Sequence, residues 1–156
     1  MAPPRSIRRK ARRFVHIGGR RRALLLEACV WLLLSRLALV LIPFPVLARR
    51  MGAFMRPEDA RALQAPAIPE QAALASEIGW AVTRAARHVP FRAVCLPQAI
   101  AARIMLARRG VRSVLHFGAM KGKEKALDAH AWLDASGVEV TGYPVAQGFA
   151  EIACFV

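Results

Sequence analysis

Two short runs carry residue types that can break a peptide bond. Cys95 stands in Cys95-Leu96-Pro97-Gln98, where a helical stretch opens, and His130 stands in Ala129-His130-Ala131-Trp132-Leu133-Asp134, where a strand-like stretch opens. A free thiol has a pKa of about 8.5, so at neutral pH little of it is thiolate; the positive end of a helix dipole and a nearby imidazolium both favour the anion. The pair has the layout of a cysteine nucleophile and its base. The Cys95 thiolate would attack a peptide carbonyl, His130 would pass its proton to the leaving amine, and water would release the acyl-enzyme. Delivery of the acyl group to an amine uses the same two residues, and the sequence leaves that choice open. The backbone N–H of Cys95 supplies one oxyanion donor, while the second is not fixed by sequence.

A third group should hold the imidazole in one tautomer. Asp134 shares the face of His130, but four residues along a strand separate the Cα atoms by roughly 13 Å. Asp128 is two residues away on that face, roughly 7 Å, and leans inward more easily. A backbone carbonyl is the other candidate. His16, His88 and His116 read as structural, and the ligand spacings of a zinc site are absent, so neither a metal nor a cofactor is expected.

The pattern around these groups sets the helices and strands that carry them. A residue before proline avoids the helical region, which makes Leu96 the cap, Pro97 the first helical residue and Cys95 the threshold. Ile100, Ile104 and Ala107, with Leu106 beside them, form the inward stripe, and Gly110 ends the helix. Residues 111–119 read as a strand. Residues 120–127, with Lys121, Lys123 and Lys125, read as an exposed loop that could rim a site for an acidic peptide. Then Ala129, Ala131 and Leu133 alternate with His130, Trp132 and Asp134. A two-residue turn at Ser136-Gly137 sets Leu133 opposite Val140 and His130 near Tyr143, so one face is apolar and His130 points to the polar one. Upstream, Pro69-Glu70 opens an amphipathic helix to about His88, with Leu74, Ile78, Val82 and Ala85 inward. Trp80 lies off that stripe, as a lid over the core or a wall of the substrate groove.

The run from Val89 to about Val145 contains Pro90, Cys95-Leu96-Pro97, Leu106-Ala107-Arg108-Arg109-Gly110-Val111, Ala129-His130-Ala131-Trp132 and Gly142-Tyr143-Pro144. It resembles the transglutaminase-like leader peptidase of lasso-peptide biosynthesis, and more loosely the likeness extends to the apolar N-terminal helix. The resemblance implies an α+β fold, with N-terminal helices packed on a small antiparallel sheet around a transglutaminase-like, papain-like cysteine peptidase core. It also implies Cys95 as nucleophile, His130 as general base and acid, and a precursor peptide as substrate. A separate leader-binding recognition protein would present that precursor, and an ATP-dependent lasso cyclase would close the ring. The wider pattern places an acid on the strand after the histidine. The corresponding stretch here, Thr141-Gly142-Tyr143, has none, which leaves Asp128 and Asp134 as the candidates.

At 156 residues the chain is expected to form one domain, residues 23–156, behind a basic arm over residues 1–22. With 24 Lys and Arg against 10 Asp and Glu, the net charge is +14, which suits acidic partners or an anionic surface. The three cysteines, at 29, 95 and 154, form neither a disulfide framework nor a zinc knuckle; Cys29 and Cys154 read as buried small hydrophobes, and a cytoplasmic setting fits. Residues 23–42 are apolar almost all the way round a helix, broken by Glu27, Ser35 and Arg36 and stopped by Pro43 and Pro45. About 20 residues is just long enough to span a bilayer, so this helix packs on the domain, on a partner, or in a membrane. The peptidase reading expects no nucleic acid. Its alternative is a non-enzymatic basic module that binds nucleic acid or an anionic membrane surface.

Overall fold

A computed structural model describes residues 18–62, 67–121 and 127–156. The arm over residues 1–17, with His16, and the part of the lysine loop over 122–126 lie outside the described residues. The first helix, α1, runs over Gly19–Leu41, starting four residues before its apolar stretch so that Arg20, Arg21 and Arg22 are helical. Pro43 stops it as expected: Ile42 turns extended, its N–H closes on the Ala38 carbonyl, and a short helix α2 (Phe44–Arg50) restarts behind the proline. A two-residue strand β1 (Phe54–Met55) and a short helix α3 (Pro57–Ala62) follow. Helix α4 occupies Pro69–Ala86, with Pro69 and Glu70 in its first turn and Arg84 in its last, matching the helix dipole at both ends.

Helix α5 spans Cys95–Ala107. It therefore begins at Cys95 rather than at Pro97, and Val94, not Leu96, is the cap. Proline is tolerated in a first turn because its missing N–H would have no intrahelical partner there. That outweighs the preference of Leu96 for extended backbone. The expected single stripe on α5 is also corrected: Ala99, Ile100, Ala101, Ala102, Met105 and Leu106 are all buried, while Ala107 is exposed. The reason is that α5 lies between α1 and α4 on one side and the sheet on the other.

Four further strands, β2 (Val114–Met120), β3 (Asp128–Ala135), β4 (Val138–Thr141) and β5 (Ala150–Phe155), complete a five-stranded sheet in the order β1-β5-β2-β3-β4. Each pairing is antiparallel. The α+β expectation holds: helices pack on one face of the sheet, where Leu115, Ala131, Leu133 and Phe155 join a core with Leu32, Ile78, Val82 and Met105. Gly79 lets α4 lie directly on β4, since a Cβ there would collide with the Val140 carbonyl oxygen.

The β3–β4 hairpin turns at Ser136-Gly137, both at positive φ as a two-residue turn of this hand requires. Ala135 pairs with Val138 and Asp134 with Glu139, but then the register slips and Leu133 faces Thr141, not Val140. This bulge adds one residue to β4 and re-aims the segment beyond it. The strand pairing ends at Thr141, and it is the Gly142 carbonyl, rather than Tyr143, that the His130 ring meets.

Candidate active site

Cys95 and His130 line one cleft of about 410 Å³, together with Thr83, Gln98, Thr141 and Gly142. Both are half-buried. The first intrahelical bond of α5 runs from the Gln98 N–H to the Val94 carbonyl at 3.3 Å, so the N–H groups of Cys95 and Leu96 lie ahead of the helical ladder. No side chain caps the helix. The Gln98 amide instead donates to the Ala93 carbonyl at 2.7 Å and braces the loop that leads into Cys95.

His130 is held from several directions. Its Nε2 lies 2.6 Å from the Gly142 carbonyl oxygen, so this nitrogen carries the proton and donates it there. The lone pair is then on Nδ1. Trp132 stacks on the ring at 5.9 Å between centroids, and Phe149 tilts against it at 5.4 Å. Gly142 is at φ +86°, and a Cβ on it would lie 2.5 Å from the Ala131 carbonyl oxygen and 2.8 Å from Trp132 Cα. Only glycine fits where this carbonyl is presented.

Among the described residues, neither Asp128 nor Asp134 is bonded to the His130 ring, and the expectation that a carboxylate orients it gives way to the carbonyl. Asp128 is the first residue of β3, opposite Met120. Asp134 lies on the same face as His130 but is engaged further along the strand. It accepts from the Tyr143 hydroxyl at 2.5 Å, and its other oxygen is 3.2 Å from His116 Nε2, an ion-pair distance without hydrogen-bond alignment. Burial, followed by the Asp134 carboxylate, pushes the Tyr143 phenol far above its ordinary value, so Tyr143 remains a donor.

This network continues into a buried cluster that the sequence pattern did not signal. His116 Nδ1 meets the Glu151 carboxylate, and the Cys154 thiol donates to Glu151 at 2.9 Å and lies 3.3 Å from His116 Nδ1. Cys154 is buried as expected, but among polar groups. The ring of His116 stacks on Trp132 at 5.6 Å, nearly parallel, so Trp132 is sandwiched between His116 and His130. His116, Glu151 and Cys154 hold donor atoms within 4.8 Å of one another, a set of metal-ligand types. Burial disfavours the His116 cation, yet carboxylates at both ring nitrogens outweigh it and raise its pKa. The three side chains and Asp134 form one buried hydrogen-bonded and ion-paired cluster. His116↔Trp132 and His116↔Cys154 are cross-strand partners. Pairing β2 with β3 and β5 in sequence would have revealed the group, since His116 alternates with Leu115 and Phe117.

Trp80 does not lie over the core: it is exposed on α4 beneath Arg21 and Arg84, and it lines a depression that shares Thr83, Glu139 and Val140 with the cleft of Cys95 and His130. His88 closes the end of α4, its Nδ1 2.8 Å from the Arg84 carbonyl oxygen.

Residues 38–154 match the family model described as the Transglutaminase-like superfamily, and the chain belongs to that superfamily. No curated protein and no solved structure matches. A cysteine at a helix mouth that shares a cleft with a strand histidine, on helices packed against an antiparallel sheet, is cysteine peptidase-like in fold and in the character of its site.

Proposed function

We propose that this member of the transglutaminase-like superfamily is a cysteine peptidase that removes the leader from a ribosomally made lasso-peptide precursor. A separate leader-binding protein presents the precursor, and a lasso cyclase acts on what is released. The observation that carries the peptidase half is that Cys95 and His130 border one cleft, with the His130 Nε2 proton committed to Gly142 and Nδ1 left to accept the thiol proton. The leader-peptidase half rests on the resemblance of the Cys95-Leu96-Pro97 and Ala129-His130-Ala131-Trp132 motifs.

In this mechanism Nδ1 takes the Cys95 proton and the thiolate adds to the peptide carbonyl. The oxyanion forms at the uncapped mouth of α5, where the Cys95 and Leu96 N–H groups supply two donors without competition from a side chain. Collapse of the intermediate breaks the C–N bond as His130 returns the proton to the leaving amine. Water, deprotonated by the same ring, then hydrolyses the thioester. Asp134 serves as a positioning residue through Tyr143, the neighbour of Gly142. A cleft of about 410 Å³ grips only the residues around the scissile bond, which leaves most sequence selectivity to the presenting partner.

The deciding experiment incubates the purified chain with precursor, with and without the leader-binding protein, and weighs the products by mass spectrometry. Leader removal by the wild-type chain, and none by Cys95→Ala or His130→Ala, is expected. Full cleavage by Cys95→Ala overturns the mechanism. Transfer of the leader acyl group to an added amine, with no hydrolysis, would make the chain an acyltransferase.

A further inference from the structure

Helix α1 turns a continuous aliphatic face to solvent. Leu26, Val30, Leu33, Leu37 and Val40 follow one another at steps of four and three, which aligns them on one side of a helix. The buried residues Leu24, Leu25, Ala28 and Leu32 sit on the other side, against α4 and α5. Leu26 is 59% exposed, Val30 55%, Val40 65% and Leu41 75%. Phe44 and Val46, both exposed, carry the surface onto α2. Single exposed leucines are ordinary; a stripe that runs the length of a helix marks a binding surface.

The charges around the stripe say what covers it. Between Gly19 and Arg50 the chain has six arginines and one acid, Glu27. That acid is already paired, with Arg109 at 2.6 Å and Arg108 at 3.5 Å. Exposed Arg20 and Arg21 stand at the start of α1, and exposed Arg49 and Arg50 end α2. A second copy would set this cationic rim against an identical one, whereas paired helices need opposite charges beside the apolar seam. A nucleic acid would meet the arginines but gain nothing from a row of leucine and valine, which neither stack on bases nor bond to them.

We propose that this face seats the protein on an anionic phospholipid bilayer, with α1 lying in the interface, its leucines and valines among the acyl chains and its arginines on the phosphates. The helix is also long and apolar enough to cross a membrane. Crossing, however, would strip Leu24, Leu25, Ala28 and Leu32 from the core and break both the Arg109–Glu27 fork and the Arg20–Glu77 pair at 2.9 Å. Lying in the surface keeps all of these. The inference is independent of the peptidase reading and would survive its failure.

The test is flotation of the full-length chain with vesicles of phosphatidylcholine alone and of phosphatidylcholine mixed with phosphatidylglycerol. Binding to the anionic vesicles, at least about tenfold weaker to the neutral ones and falling as salt rises, is expected. Leu33→Gln with Leu37→Gln, both at solvent-facing positions, should weaken it by about tenfold or more while leaving Tm unchanged. Arg49→Gln with Arg50→Gln should erase much of the preference for anionic lipid. Equal or absent binding to both vesicle types overturns the proposal. So does a concentration-dependent dimer in sedimentation that the paired leucine variant dissolves, which would make a second copy the occupant.

Discussion

His130 Nε2 sits 2.6 Å from the Gly142 carbonyl oxygen, and this single bond takes the place that a carboxylate would otherwise fill. A carbonyl accepts a hydrogen bond but carries no full charge, so it fixes the tautomer and ring orientation while giving less support to the imidazolium that the proposed mechanism forms. Trp132 adds a stacked ring on the other side of that histidine, and the same indole rests on His116. Orientation in this site comes from backbone and packing.

Replacing Gly142 tests that dependence directly. At φ +86°, with Ala131 O and Trp132 Cα in the way of any Cβ, Gly142→Ala must move the backbone that bears the acceptor. The expected outcome is a stability loss of about 1–3 kcal/mol and, under the proposed function, a kcat for leader removal lower by about a hundredfold. Thermal unfolding and product mass spectrometry, run on the same preparation, separate the two effects.

Tyr143→Phe removes the hydroxyl that Asp134 accepts while keeping the ring. An oxygen of a half-buried carboxylate then lacks its donor, which costs about 1–3 kcal/mol. Loosening of the segment next to Gly142 should lower kcat with little change in KM. Asp134→Asn should do the same, whereas Asp128→Asn, at the far end of β3, should stay close to wild type in both measurements. Equal losses from the two aspartates would put Asp128 back at the ring.

The His116 network makes stability depend on pH with a definite sign. Its folded-state pKa is raised above the ordinary value of 6.5 by Asp134 and Glu151, despite burial. The folded state therefore binds a proton that the unfolded chain releases first. The contribution is complete below about pH 6.5 and is lost as pH rises through the folded value. Tm of the wild-type chain should fall across the neutral to mildly alkaline range. His116→Gln, which cannot ionise, should be less stable near pH 6 and show a flatter profile; an unchanged slope in that variant would assign the pH dependence to other groups.

The parts of this architecture that repeat along the chain are readable from it, and the parts made by pairing are not. Pro43, Pro69 and the Ser136-Gly137 turn punctuate the backbone locally, so the C-terminal end of α1, the start of α4 and the β3–β4 hairpin follow from residue type. Alternation through Ala129–Asp134 puts His130 on the face opposite Leu133, as found. The bulge at Leu133/Asp134 has no such local mark, and neither has the meeting of the Gly142 carbonyl, rather than Tyr143, with the ring. Alternation relates Asp134 to His130 alone, because its real partners, Tyr143 and His116, come from the segment beyond the bulge and from a neighbouring strand. Helix α5 hides its packing for a different reason: a helix covered on all sides shows no stripe, and its alanines carry as much of the core as its isoleucines.

Thiol labelling offers the most direct reading of which cysteine is poised for chemistry. Cys154 is fully buried and donates to Glu151, so a reagent reaches it only through opening of the sheet. Cys29 is half-buried on α1, and burial pushes its thiol pKa up, which lowers the thiolate fraction at neutral pH. Cys95 alone borders an open cleft at the start of a helix. Brief treatment with limiting iodoacetamide at pH 7 should therefore modify Cys95 at least about tenfold faster than either of the others. Peptide mapping measures the three rates, and His130→Ala should slow the Cys95 rate specifically, because the ring that accepts its proton is gone. Cleavage activity should disappear in step with the first equivalent of label. If Cys29 were modified first, or activity outlasted complete labelling of Cys95, the thiol at the helix mouth would not be the nucleophile.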